Sequence, residues 1–179
     1  MKIAVTGHTK GIGKACVTRL SKQHEIIGFS RSNGYDISEF NGIAKIRNEC
    51  RECDVFINNA YSGRAQERLF NLFWEDWKNY TRTIININSV VKYPQVYPKT
   101  FDPSYKKEKE LLEKASGDVV WSTEGIKCRI LNINPGLVKT ELGHDSLDPD
   151  TVAECIEWAL NQPQDIQIYD LTIFKTGRI

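Results

Sequence analysis

The 179-residue sequence has no apolar run approaching the roughly eighteen residues needed to cross a bilayer, so no transmembrane helix is expected. It also lacks an excess of charge of either sign, with 24 Lys and Arg against 23 Asp and Glu and a formal charge of +1. That balance gives no general electrostatic reason to bind nucleic acid or an acidic membrane, which leaves polyanion binding a weak option, and any phosphate recognition must be local. The opening MKIAVTG runs straight into a strand pattern without the architecture of a signal peptide, so a cytoplasmic protein is expected. The five cysteines (Cys16, Cys50, Cys53, Cys128 and Cys155) are an odd, scattered set in a chain long enough to build an apolar core. A secreted disulfide scaffold is not expected on that pattern. Cys50 and Cys53 have C-x-x-C spacing, but no second such pair accompanies them, and His8, His24 and His144 are dispersed, so no metal site is expected. Repeats, low-complexity tracts and Gly/Ser/Pro-rich linkers are missing, which predicts a single domain over residues 1–179.

What the sequence does contain is an alternation of short β-branched runs with helical stretches. Strand patterns cover Lys2 to Thr6, Glu25 to Phe29, Asp54 to Asn58, Thr83 to Asn88, Lys127 to Ile133 and Ile166 to Phe174. Helical stretches begin near Ile12 and cover roughly Glu39 to Cys50, Ala65 to Tyr80, Pro103 to Ala115 and Pro149 to Asn161. The predicted class is α/β, a doubly wound parallel sheet covered on both faces.

The first strand empties into a turn with Gly7, Gly11 and Gly13, and the next helix starts inside that turn. Glycine lets backbone N–H groups approach a pyrophosphate, and a helix N-terminus offers unpaired donors. The spacing is G-x-x-x-G-x-G rather than G-x-G-x-x-G, and glycines alone also fit a plain strand-to-helix turn. The second strand ends in Ser30 and Arg31, where an acidic residue would accept the ribose hydroxyls of an unphosphorylated dinucleotide. Arg31 can instead grip a 2′-phosphate, and Lys10 can add a second charge. NADP(H) is therefore preferred over NAD(H), although both side chains also read as ordinary solvated bases.

Further along, Asn58-Asn59-Ala60 closes a strand, Ser89 follows TIININ, and Tyr105 precedes Lys109 by one helical turn behind an Asp102-Pro103 start signal. Asn134 to Thr140 reads NPGLVKT. In order and position these segments resemble the short-chain dehydrogenase/reductase family over almost the whole chain, which implies a Rossmann-type fold. The resemblance implies Ser89, Tyr105 and Lys109 as the catalytic set: Ser89 orients the substrate carbonyl, Tyr105 transfers the proton, and Lys109 also holds the nicotinamide ribose. Gly7, Thr9, Lys10, Gly11, Ile12 and Gly13 would hold the cofactor phosphates, with Ser30 and Arg31 at the adenosine end. Asp36 and Ile37 would close a third strand beside the adenine, Asn59 and Ala60 would line the adenosine ribose, and Pro135, Gly136, Val138 and Thr140 would wrap the nicotinamide.

The pattern also departs from that family. The stretch from Ser30 to Asp36 is too short for the usual helix, and the segment between Asn59 and Ser89 is abbreviated. Asn71, with Asn79 behind it, is the candidate for a fourth catalytic asparagine. Phe70, Phe73, Trp74, Trp77 and Tyr80 form an aromatic stripe that reads as core or as a subunit interface, and the resemblance implies a homodimer or homotetramer. The stretch between Thr140 and Pro149 is too short for a long lid, so an open site is expected. The expected activity is interconversion of a carbonyl and an alcohol on a small organic substrate. The alternative is a dinucleotide-binding sensor with little or no turnover. An epimerase or dehydratase of the extended type is disfavoured by the short stretch after Thr140.

Overall fold

The computed structural model describes residues 1–93, 102–139 and 146–176. Six parallel strands, β1 (Lys2–Thr6), β2 (Glu25–Phe29), β3 (Val55–Asn58), β4 (Thr83–Ile87), β5 (Arg129–Pro135) and β6 (Asp170–Ile173), form one sheet in the order β2-β1-β3-β4-β5-β6. The helices are α1 (Gly11–Leu20), α2 (Phe40–Glu49), α3 (Ala65–Trp77), α4 (Pro103–Ser122) and α5 (Pro149–Leu160). This is the doubly wound, Rossmann-type arrangement that the alternating pattern predicts. No helix among the described residues is long and apolar enough to cross a membrane.

The period-2 geometry of the strands sorts their side chains into two layers. Ile3, Val5, Val55, Ile57, Ile85, Leu131 and Ile133 pack beneath α1 and α5. Ala4, Phe56, Ile84 and Ile130 point to the other face, where α2, α3 and α4 bring Ile43, Ile46, Leu69, Phe70, Phe73 and Leu112. Phe56 and Phe73 stack with ring centroids 3.8 Å apart. The aromatic stripe resolves as core for Phe70, Phe73, Trp74 and Trp77, all buried, whereas Tyr80 lies beyond the end of α3 and is 58% exposed. Cys50 and Cys53 are buried free thiols that share a hydrogen bond at the end of α2.

Two expectations need correction. Asp36 and Ile37 do not close a third strand, because no strand lies between β2 and α2. A short 3-10 turn (Arg31–Asn33) ends at Gly34 with φ +90°, and Asp36 then accepts from both the N–H and the hydroxyl of Ser38, at 2.9 and 2.7 Å. That local turn directs the chain straight into α2, and β2 is an edge strand, with β6 at the opposite edge. The second correction concerns α4, which continues past Ala115 to Ser122. Ser116 keeps its hydroxyl on the Leu112 and Glu113 carbonyls, and a Cβ on Gly117 would lie 2.9 Å from the Tyr169 hydroxyl, so tertiary packing overrides the weak helix propensity of the Ser-Gly pair.

The α3–α4 face also carries a buried polar ladder. Asn58, Asn86 and Asn132 are register partners on β3, β4 and β5. Asn58 donates to Asn86 and Asn86 to Asn132, each at 3.0 Å, and Asn132 donates to Ser116 at 2.8 Å. Removing the middle amide strands a donor on one side and an acceptor on the other. Asn86→Ala is therefore expected to destabilise the fold by about 3 kcal/mol, given about 1–3 kcal/mol for each stranded buried group, as read from the urea midpoint. A shift of under about 1 kcal/mol would show that the ladder carries little of the stability.

Candidate active site

All six strands point the same way, so the segments leaving their C-terminal ends gather along one edge of the sheet. Gly7 leaves β1, Ser30 leaves β2, Asn59 and Ala60 leave β3, Ser89 leaves β4, and Gly136 leaves β5. The order turns back at β1 and β3, and a hydroxyl ties that crevice together. Thr6 Oγ1 donates to the Ile57 carbonyl at 3.3 Å and accepts the backbone N–H groups of Asn59 and Ala60 at 2.9 and 3.0 Å. Asn59 Nδ2 returns a bond to the Thr6 carbonyl at 2.9 Å.

The glycine turn is as tight as its sequence predicts. Gly7 has φ +69° and donates its N–H to the Phe29 carbonyl at 2.7 Å. A Cβ on Gly13 would stand 2.2 Å from the Gly7 carbonyl oxygen, so only glycine lets α1 begin this close to the turn. The first turn of α1 holds no acidic residue, and its N-cap, Lys10, makes no side-chain cap bond, so its terminal N–H groups face the crevice. Thr9 and Lys10 are exposed beside it, while Ile12 packs partly onto the α1–α5 core.

At the end of β2, Ser30 is held by Asn33, whose Oδ1 accepts the Ser30 N–H at 2.7 Å and whose Nδ2 donates to the Gly28 carbonyl at 2.8 Å. Arg31 is exposed. The Asp36 carboxyl lies below the ordinary carboxylate range because Ser38 donates to it, with Arg31 adding a smaller attraction. Ile37 is buried in the core. Pro135 and Gly136 end β5 against β6, and Val138 bridges to Leu147. Thr140, His144 and most of the stretch on which the open-site expectation rests lie outside the described residues.

Asp102 and Pro103 start α4 as the sequence predicts, with the Asp102 carboxylate accepting the Ser104 N–H at 2.9 Å. Tyr105 and Lys109 share one face of that helix. The Tyr105 side chain is hydrogen-bonded to Ser89, and Lys109 Nζ lies 5.4 Å from the Tyr105 ring centroid. Burial raises the Tyr105 phenol above its ordinary range, and the Ser89 bond partly offsets that rise. Lys109 is 3% exposed and donates to Gln66 Oε1 at 2.6 Å and to the Ile87 carbonyl at 2.8 Å. Burial pushes its amine down to about 7, opposed only by the charge of Glu108. The phenol is therefore neutral near pH 7, while the amine sits close to its own midpoint.

Gln66 was missed in the sequence. Its Oε1 receives Lys109, and its Nε2 donates to the Asn58 and Ile87 carbonyls at 2.8 and 3.1 Å. The signal was a polar residue in the apolar stripe of α3, in step with Leu69, Phe70 and Phe73. Asn71 and Asn79, the candidates for a fourth catalytic asparagine, are exposed, Asn71 on α3 and Asn79 just beyond it, whereas the α3 side chain bonded to Lys109 is Gln66. Among the described residues there is no group of three or more His, Cys, Asp or Glu side chains that could hold a metal ion.

No protein-family model matches the chain, and no curated protein does. Solved structures do. A 3-ketoacyl-(acyl-carrier-protein) reductase from Brucella melitensis, complexed with NADH, aligns over 99% of this chain and 98% of its own with a TM-score of 0.78 at 18% identity. Serine dehydrogenase from Escherichia coli aligns over 100% of both chains with a TM-score of 0.74 at 18% identity. A short-chain dehydrogenase from Burkholderia cenocepacia, in complex with NADP, aligns over 97% of this chain and 88% of its own with a TM-score of 0.78 at 15% identity. The chain shares their fold.

The burial of Lys109 has a pH signature. Its folded midpoint near 7 lies below the unfolded value of about 10.4. Between those limits the unfolded chain binds more protons, so this residue's contribution to stability rises as pH increases from 7 to 10. Relative to a Lys109→Met variant, wild type should gain on the order of a few kcal/mol across that range in denaturant titrations. A difference that stays flat with pH would show that the amine is solvated rather than buried.

Proposed function

We propose that the chain is an NADP(H)-dependent oxidoreductase of the short-chain dehydrogenase/reductase type, acting in the cytoplasm and interconverting a carbonyl and an alcohol on a small organic substrate. The observation that carries this reading is the Tyr105 side chain hydrogen-bonded to Ser89, with the Lys109 amine beside its ring. That group stands on the same sheet edge as the glycine turn.

The chain's own residues fit a dinucleotide. The α1 N-terminus and the close approach at Gly13 suit a pyrophosphate, with Lys10 alongside. Asn59 and Ala60 flank the crevice and would line the adenosine ribose. Arg31 is exposed at the end of β2, where it would meet a 2′-phosphate, while the Asp36 carboxylate accepts from Ser38. When bound, the nicotinamide supplies or accepts the hydride. Ser89 orients the substrate carbonyl, and Tyr105, neutral near pH 7, donates its proton to the carbonyl oxygen. The resulting phenolate is stabilised by the Lys109 ammonium, and about 4 kcal/mol of such stabilisation lowers a phenol by about three pKa units. Gln66 and the Ile87 carbonyl fix the amine, leaving one N–H for the nicotinamide ribose. Assembly as a homodimer or homotetramer belongs to the same proposal. The α3 aromatics are taken up by the core, and Trp121 on α4, 77% exposed, is one of the large aromatics left for contact, with Phe40 on α2 and Trp158 on α5.

Two measurements test the reading. Across a panel of carbonyl compounds, Tyr105→Phe should lower NADPH turnover by about 10³, within the range of general acid–base contributions. NADPH bound with no turnover in wild type would support the sensor reading instead. Arg31→Ala should weaken NADPH about tenfold and leave NADH within about twofold, the scale of one charge-assisted phosphate contact. Equal affinity of wild type for NADH and NADPH would overturn the cofactor preference.

A further inference from the structure

Lys109 presents a conflict between its burial and its proposed task. Its remaining N–H has to reach a cofactor ribose, yet the residue is only 3% exposed. Something covering it has to move. Tyr105 belongs to α4 and is bonded to Ser89. Gln66 is 3% exposed and pinned through its amide to two carbonyls. Among the described residues, the third side chain placed against the amine is Tyr61.

Tyr61 follows Asn59-Ala60 in the loop before α3. Its ring meets Tyr105 edge-on, with centroids 4.9 Å apart, and its centroid lies 5.7 Å from Lys109 Nζ. Its hydroxyl donates to the carboxylate of Glu108, the residue next to Lys109 on α4. That bond draws the loop across the amine. Unlike the other two neighbours, Tyr61 is 45% exposed and sits in a loop that turns at Gly63, where φ is +50°. A ring on such a loop, held by one hydroxyl bond to a partly exposed carboxylate, is the cover that can be displaced at least cost.

We infer that Tyr61, latched to Glu108, is a gate over Lys109 that swings aside when the nicotinamide-ribose end of a dinucleotide enters. The inference rests on the functional reading above. A latched state that excludes the ribose lowers the apparent affinity by the fraction of open molecules. Loosening the latch should tighten the binding of a ligand that carries the nicotinamide ribose, and should not affect one that lacks it.

The test compares wild type, Tyr61→Phe and Glu108→Ala by calorimetric titration with NADPH and with adenosine 2′,5′-bisphosphate, which carries the adenosine half alone. Tyr61→Phe keeps the ring and removes the donor, and Glu108→Ala removes the acceptor. Both variants should bind NADPH about fivefold more tightly, the equivalent of one partly exposed hydrogen bond. The bisphosphate should bind all three proteins alike, and Tyr61→Phe, which alters no charge, controls for the charge removed with Glu108. Both sites are at least partly exposed, and circular dichroism verifies the fold. NADPH affinity that is unchanged or weaker in both variants overturns the gate and leaves the functional reading standing. A parallel gain for the bisphosphate also overturns it, since the effect would then be general. If no protein binds either nucleotide, the functional reading fails and the gate falls with it.

Discussion

An amine can be taken out of water only where other acceptors replace the ones it loses, and among the described residues the architecture around Lys109 meets that demand with two neutral oxygens. One acceptor is the last carbonyl of β4, and the other is the side chain of Gln66. Gln66 is itself fixed by a reciprocal bracket, in which its amide donates to the Asn58 carbonyl while the Asn58 side chain donates to the Gln66 carbonyl. Asn58 then leads through Asn86 and Asn132 to Ser116, about two turns farther along the helix that carries Lys109. The polar chain closes on α4 at both ends. Helix, sheet and α3 are thereby held in one register around the group on which the proposed chemistry depends.

That arrangement explains which parts of the molecule were legible in the sequence. The strands, the glycine turn and the Tyr105–Lys109 spacing depend on local patterns, namely period-2 and 3.6-residue repeats and a start signal at Asp102-Pro103, and they could be read directly. Gln66 could not be assigned, because its role depends on a residue forty-three positions away. The asparagines of TIININ and KCRILNINP were visible, but their partnership required the strand register, which no single strand encodes. The extension of α4 through Ser116-Gly117 depended on Tyr169, far along the chain. In each case the missing information was tertiary.

The same face of the sheet shows how polar groups can lie within an apolar layer. Phe56, Ile84 and Ile130 occupy the rows just before the ladder, and Asn88 and Asn134 the rows after it. Asn88 donates to Glu113 at 3.0 Å, and Glu113 also accepts Lys92 at 2.7 Å, so the polar rows extend toward a charged cluster rather than ending in the core. A parallel sheet normally keeps such a face aliphatic. Here the aliphatic part lies under the strand beginnings and the amides under the strand ends, where the candidate site is.

The outer position of β2 has one more implication. A strand at the margin has a neighbour on one side only, so whatever once lay beyond it, or never did, can differ between proteins without unpairing β1 or β3. A change at that margin touches peripheral backbone bonds and leaves the Asn58–Asn86–Asn132 ladder whole. The middle strands take their partners from one another and not from what lies beyond that margin.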